Sequence, residues 1–264
     1  MRAVLLACGV VAAAAPPAFA ERITIEYRAR AFGVAPLGAA TLDIDVGDDD
    51  YRIVSTVRSG GLLALFDQTE LTALAEGAID AAAVRSSRYD LDHRYARKHR
   101  VTTLRWTAAG VEAAIAPTYR LWGDPPVSEA QRRSARDPLS SLVAMSVDVG
   151  RSGRCEGAYP TFDGRFFYVL TLERGRAARL DDAAYSGPAL RCGVRYEPVS
   201  GFEPSDGGRR LRARRGEIWF ATDAAGFAPP VRFSAPLPLG EAGIYVQRMR
   251  RIAVSVEPAP GAAQ

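Results

Sequence analysis

From residue 22 onward the chain alternates apolar and polar positions with a period of two. In "RITIEYRARA", Ile23, Ile25, Tyr27 and Ala29 are apolar, while Thr24, Glu26, Arg28 and Arg30 stand between them. Successive side chains of a strand point to opposite faces, so this pattern predicts a strand with one wet face. "TLDIDVGDDDYRIVSTV" repeats the pattern. Leu42, Ile44 and Val46 alternate with acids, Gly47 to Asp50 form a polar turn, and Tyr51 and Ile53 open a return strand, which predicts a hairpin. Further strands are predicted over 67–76, 84–92, 99–107, 111–116, 165–173, 186–196, 209–221, 230–236 and 243–256. Many strands joined by short polar turns imply an antiparallel all-β domain.

Helical signals are few. "GGLLALF", 60–66, is short and apolar and fits one or two helical turns packed on the sheet. "RDPLSSLVAMSVDVG" carries the strongest helical signal: Asp137 as N-cap, Pro138 in the first turn and Gly150 just past the end. Leu139, Leu142, Val143 and Met145 fall largely on one face, which is expected to lie against the concave side of the sheet. The polar segment before it, "PPVSEAQRRSAR", is expected to be an exposed loop. With no linker and no internal repeat, the chain divides into 1–20, a single β domain over 21–256, and a tail over 257–264 whose composition predicts disorder.

The first twenty residues read as a secretory signal peptide. Arg2 precedes a Leu, Val and Ala run that closes on Ala18-Phe19-Ala20, so cleavage is expected after Ala20, giving a soluble periplasmic protein. The apolar run from Ala3 to Ala15 is short of the ~20 residues a spanning helix needs, and Pro16-Pro17 follows it. Leu5-Leu6-Ala7-Cys8 resembles a lipobox, but it has almost no hydrophobic region ahead of it, so lipidation is not expected. The net charge of +4 is mild, and acids are interspersed among arginines, Lys98 being the lone lysine. That diffuse charge, on an exported chain, argues against a nucleic-acid partner.

Candidate chemistry is sparse. Removal of Cys8 with the leader would leave Cys155 and Cys192, and an even pair in an oxidising compartment reads first as a disulfide. A catalytic thiol would need a histidine, and the two present, His93 and His99, lie in the Arg-rich "DHRYARKHR". Their spacing of six is not that of a helical zinc pair; on one strand they would stand about 20 Å apart, so no metal is expected. Asp163-Gly164 precedes an alternating strand and reads as a turn. Ser140 and Ser141 lie in the predicted helix without a G-x-S-x-G elbow, and no Gly-rich phosphate loop opens a helix, so no cofactor is expected. The cluster "RRLRARR" at 209–215 could face anionic headgroups, but a solvated hairpin edge is the simpler account.

The order of several segments resembles a known family. "ITIEYRARAFGVAPLGAATLDI", "YRIVSTVRSGGLLALF", "KHRVTTLRW", "DPLSSLVAM", "TFDGRFFYVLTL", "YSGPALRCGVRYEPVSGF" and "IWFATDAAGFAPPVRFSAPLPLG" together are similar to the exported bacterial domain-of-unknown-function family 3108, over roughly residues 22 to 255. The resemblance implies a large, strongly curved, open antiparallel sheet, an unclosed barrel or β-spiral cupping one or two short helices. That architecture is similar to periplasmic lipoprotein-localisation carriers, and it brings no catalytic residues. It also implies that Cys155 and Cys192, on either side of the "DGRFFYVLTL" strand, are a structural pair.

The expectation is therefore a non-enzymatic envelope protein whose half-open barrel holds a lipid, a lipoprotein segment or an envelope protein partner. It should be monomeric and not membrane-spanning. Phe166, Tyr168, Leu170 and Leu172 are expected to share one strand face, opposed by Leu139, Leu142 and Val143, either facing a ligand or filling a core. Two alternatives compete: an assembly factor with no small ligand, and a hydrolase pairing Asp163 with Asp181 or Asp182.

Overall fold

Alternation of the kind seen at residues 22–31 buries one face of each strand, and the way the strands pair decides what those faces enclose. The computed structural model describes residues 19–61, 64, 68–81, 83–182, 184–203, 214–224, 226–238 and 240–255. Among them are thirteen strands: β1 (Phe19–Ala31), β2 (Ala35–Val46), β3 (Asp50–Ser59), β4 (Thr69–Ile79), β5 (Val84–Tyr95), β6 (Lys98–Thr107), β7 (Gly110–Ala116), β8 (Gly157–Phe162), β9 (Phe167–Asp182), β10 (Tyr185–Ser200), β11 (Arg214–Ala221), β12 (Pro230–Leu237) and β13 (Gly240–Ser255). They form one sheet in the order β7-β6-β5-β4-β3-β2-β1-β13-β12-β11-β10-β9-β8. Every neighbouring pair is antiparallel. The first and last strands thus form a central seam, and two meanders run outward from it. The edges, β7 and β8, are consecutive in sequence and joined by the helical segment.

Burial follows the period-two pattern. Ile23, Ile25 and Tyr27 of β1, Leu42 and Ile44 of β2, and Tyr51 and Ile53 of β3 are buried on the concave face. The predicted turn at Gly47–Asp50 is present, with the Gly47 N–H donating to the Asp50 carbonyl at 2.9 Å. β1 begins at Phe19, so Phe19 and Ala20 at the predicted end of the leader pair with Ser255 and Val254. β9 and β10 run longer than their sequence patterns suggest. β8 has no counterpart among the predicted strands; it is short and carries Pro160, which an edge strand tolerates. The segment 60–66 lies largely outside the described residues, as does most of the 209–215 arginine cluster.

Two helices stand between the edges. α1 (Glu129–Ser134) occupies the segment expected to be a loop. It has no apolar stripe to betray it, but Ser128 and Gln131 form a reciprocal capping box. α2 (Pro138–Ser152) is capped by Asp137 as predicted, yet it continues through Gly150 and ends at Gly153. Gly150 is needed for another reason: a Cβ there would stand 2.7 Å from the backbone of Gly226 and Phe227, which lie directly on the helix. α2 is also buried on more than one face. Ser140, Ser141 and Ser146 are as buried as Val143 and Met145, because β3, β4, β5, β8 and the 226–228 segment surround it.

The sheet does not close by strand pairing; Ala135–Asp137 bridges the gap instead. Arg136 donates its N–H to the Pro160 carbonyl at 2.9 Å and accepts from Phe162 N–H at 2.8 Å, so it caps the β8 edge. Its side chain donates to the Val84 carbonyl on β5 at 2.5 Å, and Trp106 of β6 donates to the Ala135 carbonyl at 3.0 Å. Asp137 is fully buried and accepts from Ser140 N–H at 2.9 Å and from Ser86 Oγ at 2.7 Å. It also accepts from Ser140 Oγ, which in turn takes a 2.5 Å bond from Tyr51 OH. Asp137, Ser140, Ser86 and Tyr51 thus satisfy one another, as a low-dielectric site requires, whereas Ser146 Oγ further along α2 is buried without a hydrogen-bond partner among the described residues. The helix therefore plugs one end of the curl.

Candidate functional site

Among the described residues, the opposite end of the concave face is not filled. Along β1 the inward series runs Ile23, Ile25, Tyr27, Ala29, and along β2 it runs Ile44, Leu42, Ala40, Gly38. Large side chains fill the barrel beside the helix, and small ones take over towards the β1–β2 turn. Two cross-strand rows result. In one, Phe233, Ile244, Ala29, Gly38 and Ser59 are register partners from β12 to β3. In the other, Tyr27, Ala40, Val57 and Leu71 pair from β1 to β4. A cavity of about 520 Å³ lies over the first row and over Ala40 and Val57 of the second, and Leu37, Thr69, Ala235 and Ala242 are among the other residues of its wall. The volume falls within the range of small-molecule pockets.

The floor of this cavity is fixed by aromatic packing. Tyr27 and Phe233 meet edge to face with centroids 5.9 Å apart, and Tyr27 OH donates to the Pro230 carbonyl at 2.6 Å. Burial holds the Tyr27 phenol well above its ordinary pKa, so it stays neutral. The polar atoms of the wall are mostly engaged: Ser59 Oγ accepts from Thr69 N–H at 2.8 Å, and Arg58 at the rim pairs with Glu70 at 3.0 Å. Among the described lining residues there is no carboxylate, histidine or cysteine. The site can exclude water and accept apolar surface, and the polar side chains on its lining are Arg58, Ser59, Thr69 and Ser234.

None of the seven residues predicted as ligand-facing or core lines this cavity. Leu172 and Val143 are buried in the core, and Leu139, Leu142 and Leu170 pack against it half-buried. Tyr168 lies on β9 with its ring 4.9 Å from that of Tyr196. Phe166 does not share their strand, because β9 begins at Phe167; it sits in the preceding turn and stacks on Phe202 at 4.5 Å. With Tyr196 and Arg214 those two rings line a separate hollow of about 410 Å³. The expected opposition of helix and strand is present one strand over, where α2 meets β8: Ser141 Oγ and Thr161 Oγ1 lie 2.8 Å apart and Tyr159 OH donates to Asp148 at 2.9 Å.

Cys155 and Cys192 are joined by a disulfide with Cα atoms 5.3 Å apart. It ties the segment following α2 to β10 and crosses β9 at Gly175, where a Cβ would stand 2.9 Å from Cys155 Sγ. Asp163 is a turn residue. Its Oδ1 accepts N–H bonds from Arg165 at 2.9 Å and Phe166 at 2.8 Å, and Gly164 follows at φ 102°. Asp181 and Asp182 lie at the far end of β9, roughly 40 Å along the strand, so neither converges with Asp163.

The histidines are arranged differently from the single-strand expectation. The β5–β6 turn at Ala96–Arg97 places His93 and His99 on adjacent strands, where His93 stacks on Tyr95 at 4.4 Å and His99 bonds Asp92 at 3.0 Å. That bond to His99 lowers the Asp92 pKa. Among the described residues no group of three or more His, Cys, Asp or Glu is placed to hold a metal, and no helix is long and apolar enough to cross a membrane.

The signal for the cavity was present in "YRARAFGVAPLGAA", where large inward positions give way to Ala and Gly. What the sequence alone lacked was the β1–β13 pairing that sets Ile244 and Phe233 beside them.

Comparison with known proteins places the fold in context. No curated protein gives a significant sequence match. A crystal structure of a β-barrel-like protein of domain of unknown function DUF1849 from Brucella abortus superposes with a TM-score of 0.50 at 7% identity, over 88% of this chain and 98% of that one. The likeness is one of fold. The family profile for DUF3108, proteins of unknown function, matches residues 26–247, and the chain belongs to that family.

Proposed function

We propose that this chain is an exported, non-enzymatic protein of the cell envelope that holds an apolar chain, such as a lipid acyl group or a lipidated segment, in the open end of its curled sheet. The observation that carries this reading is the cavity of about 520 Å³ walled by Ala29, Ala40, Val57, Phe233 and Ile244. Burying apolar surface there is favourable at roughly 25 cal/mol per Å², and the wall offers few polar groups that a ligand would leave unpaired. Export is supported by the leader-like first twenty residues and by the Cys155–Cys192 bond, which suits an oxidising compartment.

The test is titration of the mature chain with a fluorescent fatty acid, beside an Ala40→Trp variant that fills the cavity. Saturable uptake that weakens at least roughly tenfold in the variant, with an unchanged circular dichroism spectrum, supports the reading; an indole fills much of a cavity this size. No saturable uptake, or equal uptake by both proteins, overturns it.

A further inference from the structure

The turn joining β1 to β2 presents apolar side chains to solvent. Val34 is 80% exposed and Phe32 52%. The turn is held in place: Phe32 N–H donates to the Glu241 carbonyl at 2.8 Å, and Val34 N–H donates to the Ala31 carbonyl at 3.1 Å. Phe32 adopts φ 53° and Gly33 φ 73°. A bulky residue in the left-handed region is uncommon, so the turn holds Phe32, its ring half exposed beside Gly240, against local backbone preference.

Behind this tip, Arg28 and Arg30 are exposed on the outer face of β1, and neither forms an ion pair among the described residues. Arg30 lies two residues from Phe32 and Arg28 four, about 7 and 14 Å along the strand. An apolar point followed by unpaired guanidiniums matches the layering of an anionic lipid surface, with acyl chains beneath and phosphates above. A protein partner fits less well, since two side chains cover far less than the ~800 Å² per side of a stable interface. The tip is also continuous with the cavity, for Ala29, Leu37 and Gly38 of its two strands line the cavity wall.

We propose that the β1–β2 turn is a membrane-docking tip, seating Phe32 and Val34 in an anionic lipid surface with Arg28 and Arg30 on its phosphates. Docking sets the cavity mouth against the lipid phase, the source from which an apolar chain would enter. Docking itself does not require a filled cavity, so this inference and the ligand reading fail separately.

The experiment is co-sedimentation of the mature chain with vesicles of phosphatidylglycerol and phosphatidylcholine, compared with phosphatidylcholine alone. Binding to the anionic vesicles is expected, lowered roughly tenfold or more by Phe32→Ser with Val34→Ser. Arg28→Gln with Arg30→Gln should weaken it several-fold and reduce its salt dependence. Circular dichroism and the thermal midpoint, unchanged in both variants, show that the fold is intact. Phe32→Trp gives a direct reading: the added indole emission should shift to shorter wavelength on binding and be quenched by brominated acyl chains. Absence of binding to anionic vesicles, binding that survives the loss of Phe32 and Val34, or an added emission that brominated chains leave unquenched overturns the proposal.

Discussion

Removal of the Cys155–Cys192 bond tests how the helix plug is secured. The bond closes a loop across a sequence separation of 37 residues that contains β8 and β9, and it anchors the end of α2 to β10. On the loop-entropy account, a closed loop of that size stabilises the fold by about 4 kcal/mol, by restricting the unfolded chain. For a domain of this length each kcal/mol corresponds to roughly 2–4 °C in Tm, so Cys155→Ala with Cys192→Ala should lower Tm by about 8–16 °C. Alanine is the suitable replacement because Cys192 is fully buried and Cys155 is 8% exposed, and a serine hydroxyl would add a desolvation cost there. The assay is a calorimetric melt of residues 21–264, oxidised, reduced with thiol, and as the double variant. Reduced wild type and double variant should melt together. A fall of less than about 3 °C, with the mass confirming loss of the bond, would refute the reasoning and place the stability of the plug in the Ala135–Asp137 contacts alone.

Those contacts give further predictions. Asp137→Ala removes a helix cap and leaves the Ser86 and Ser140 donors without their buried acceptor, so urea denaturation should show a loss of about 2–4 kcal/mol. Burial raises the Asp137 pKa in the folded state, so the native protein binds this proton more tightly than the unfolded chain does. Its contribution to stability therefore falls as pH rises from about 4, the unfolded value, through the raised folded one. The stability of wild type relative to Asp137→Asn should decline over that window; a difference independent of pH would contradict the assignment. Gly175→Val drives a side chain into Cys155 Sγ and should destabilise by about 1–3 kcal/mol in the same denaturation assay, and an unchanged midpoint would show that the disulfide can move aside.

How far the sequence revealed this molecule depended on what each element packs against. β1, β2 and β3 were legible because each buries a single face, which writes a period of two into Ile23-Ile25-Tyr27 and Leu42-Ile44. Asp163-Gly164 was legible because a side-chain-stabilised turn is a local matter. β8 was not, since Pro160 and its six-residue length hide an edge strand whose outer side is capped by Arg136 rather than by another strand. The end of α2 was misread because Gly150 answers to a distant backbone, at Gly226, and not to helix termination. The cavity belongs with these long-range cases. Its Ala and Gly positions were visible, but that they face Phe233 and Ile244 follows from pairing between the two ends of the domain.

An apolar chain held in the open end of the sheet, as proposed, would travel with the protein through purification. Native mass spectrometry on the protein, expressed from the full sequence and purified without detergent, detects it directly. The account predicts a bound lipid-sized mass that disappears on denaturation, or one that appears when a long-chain fatty acid is supplied and is absent from Ala40→Trp. A clean unliganded mass that persists with fatty acid in excess would contradict it.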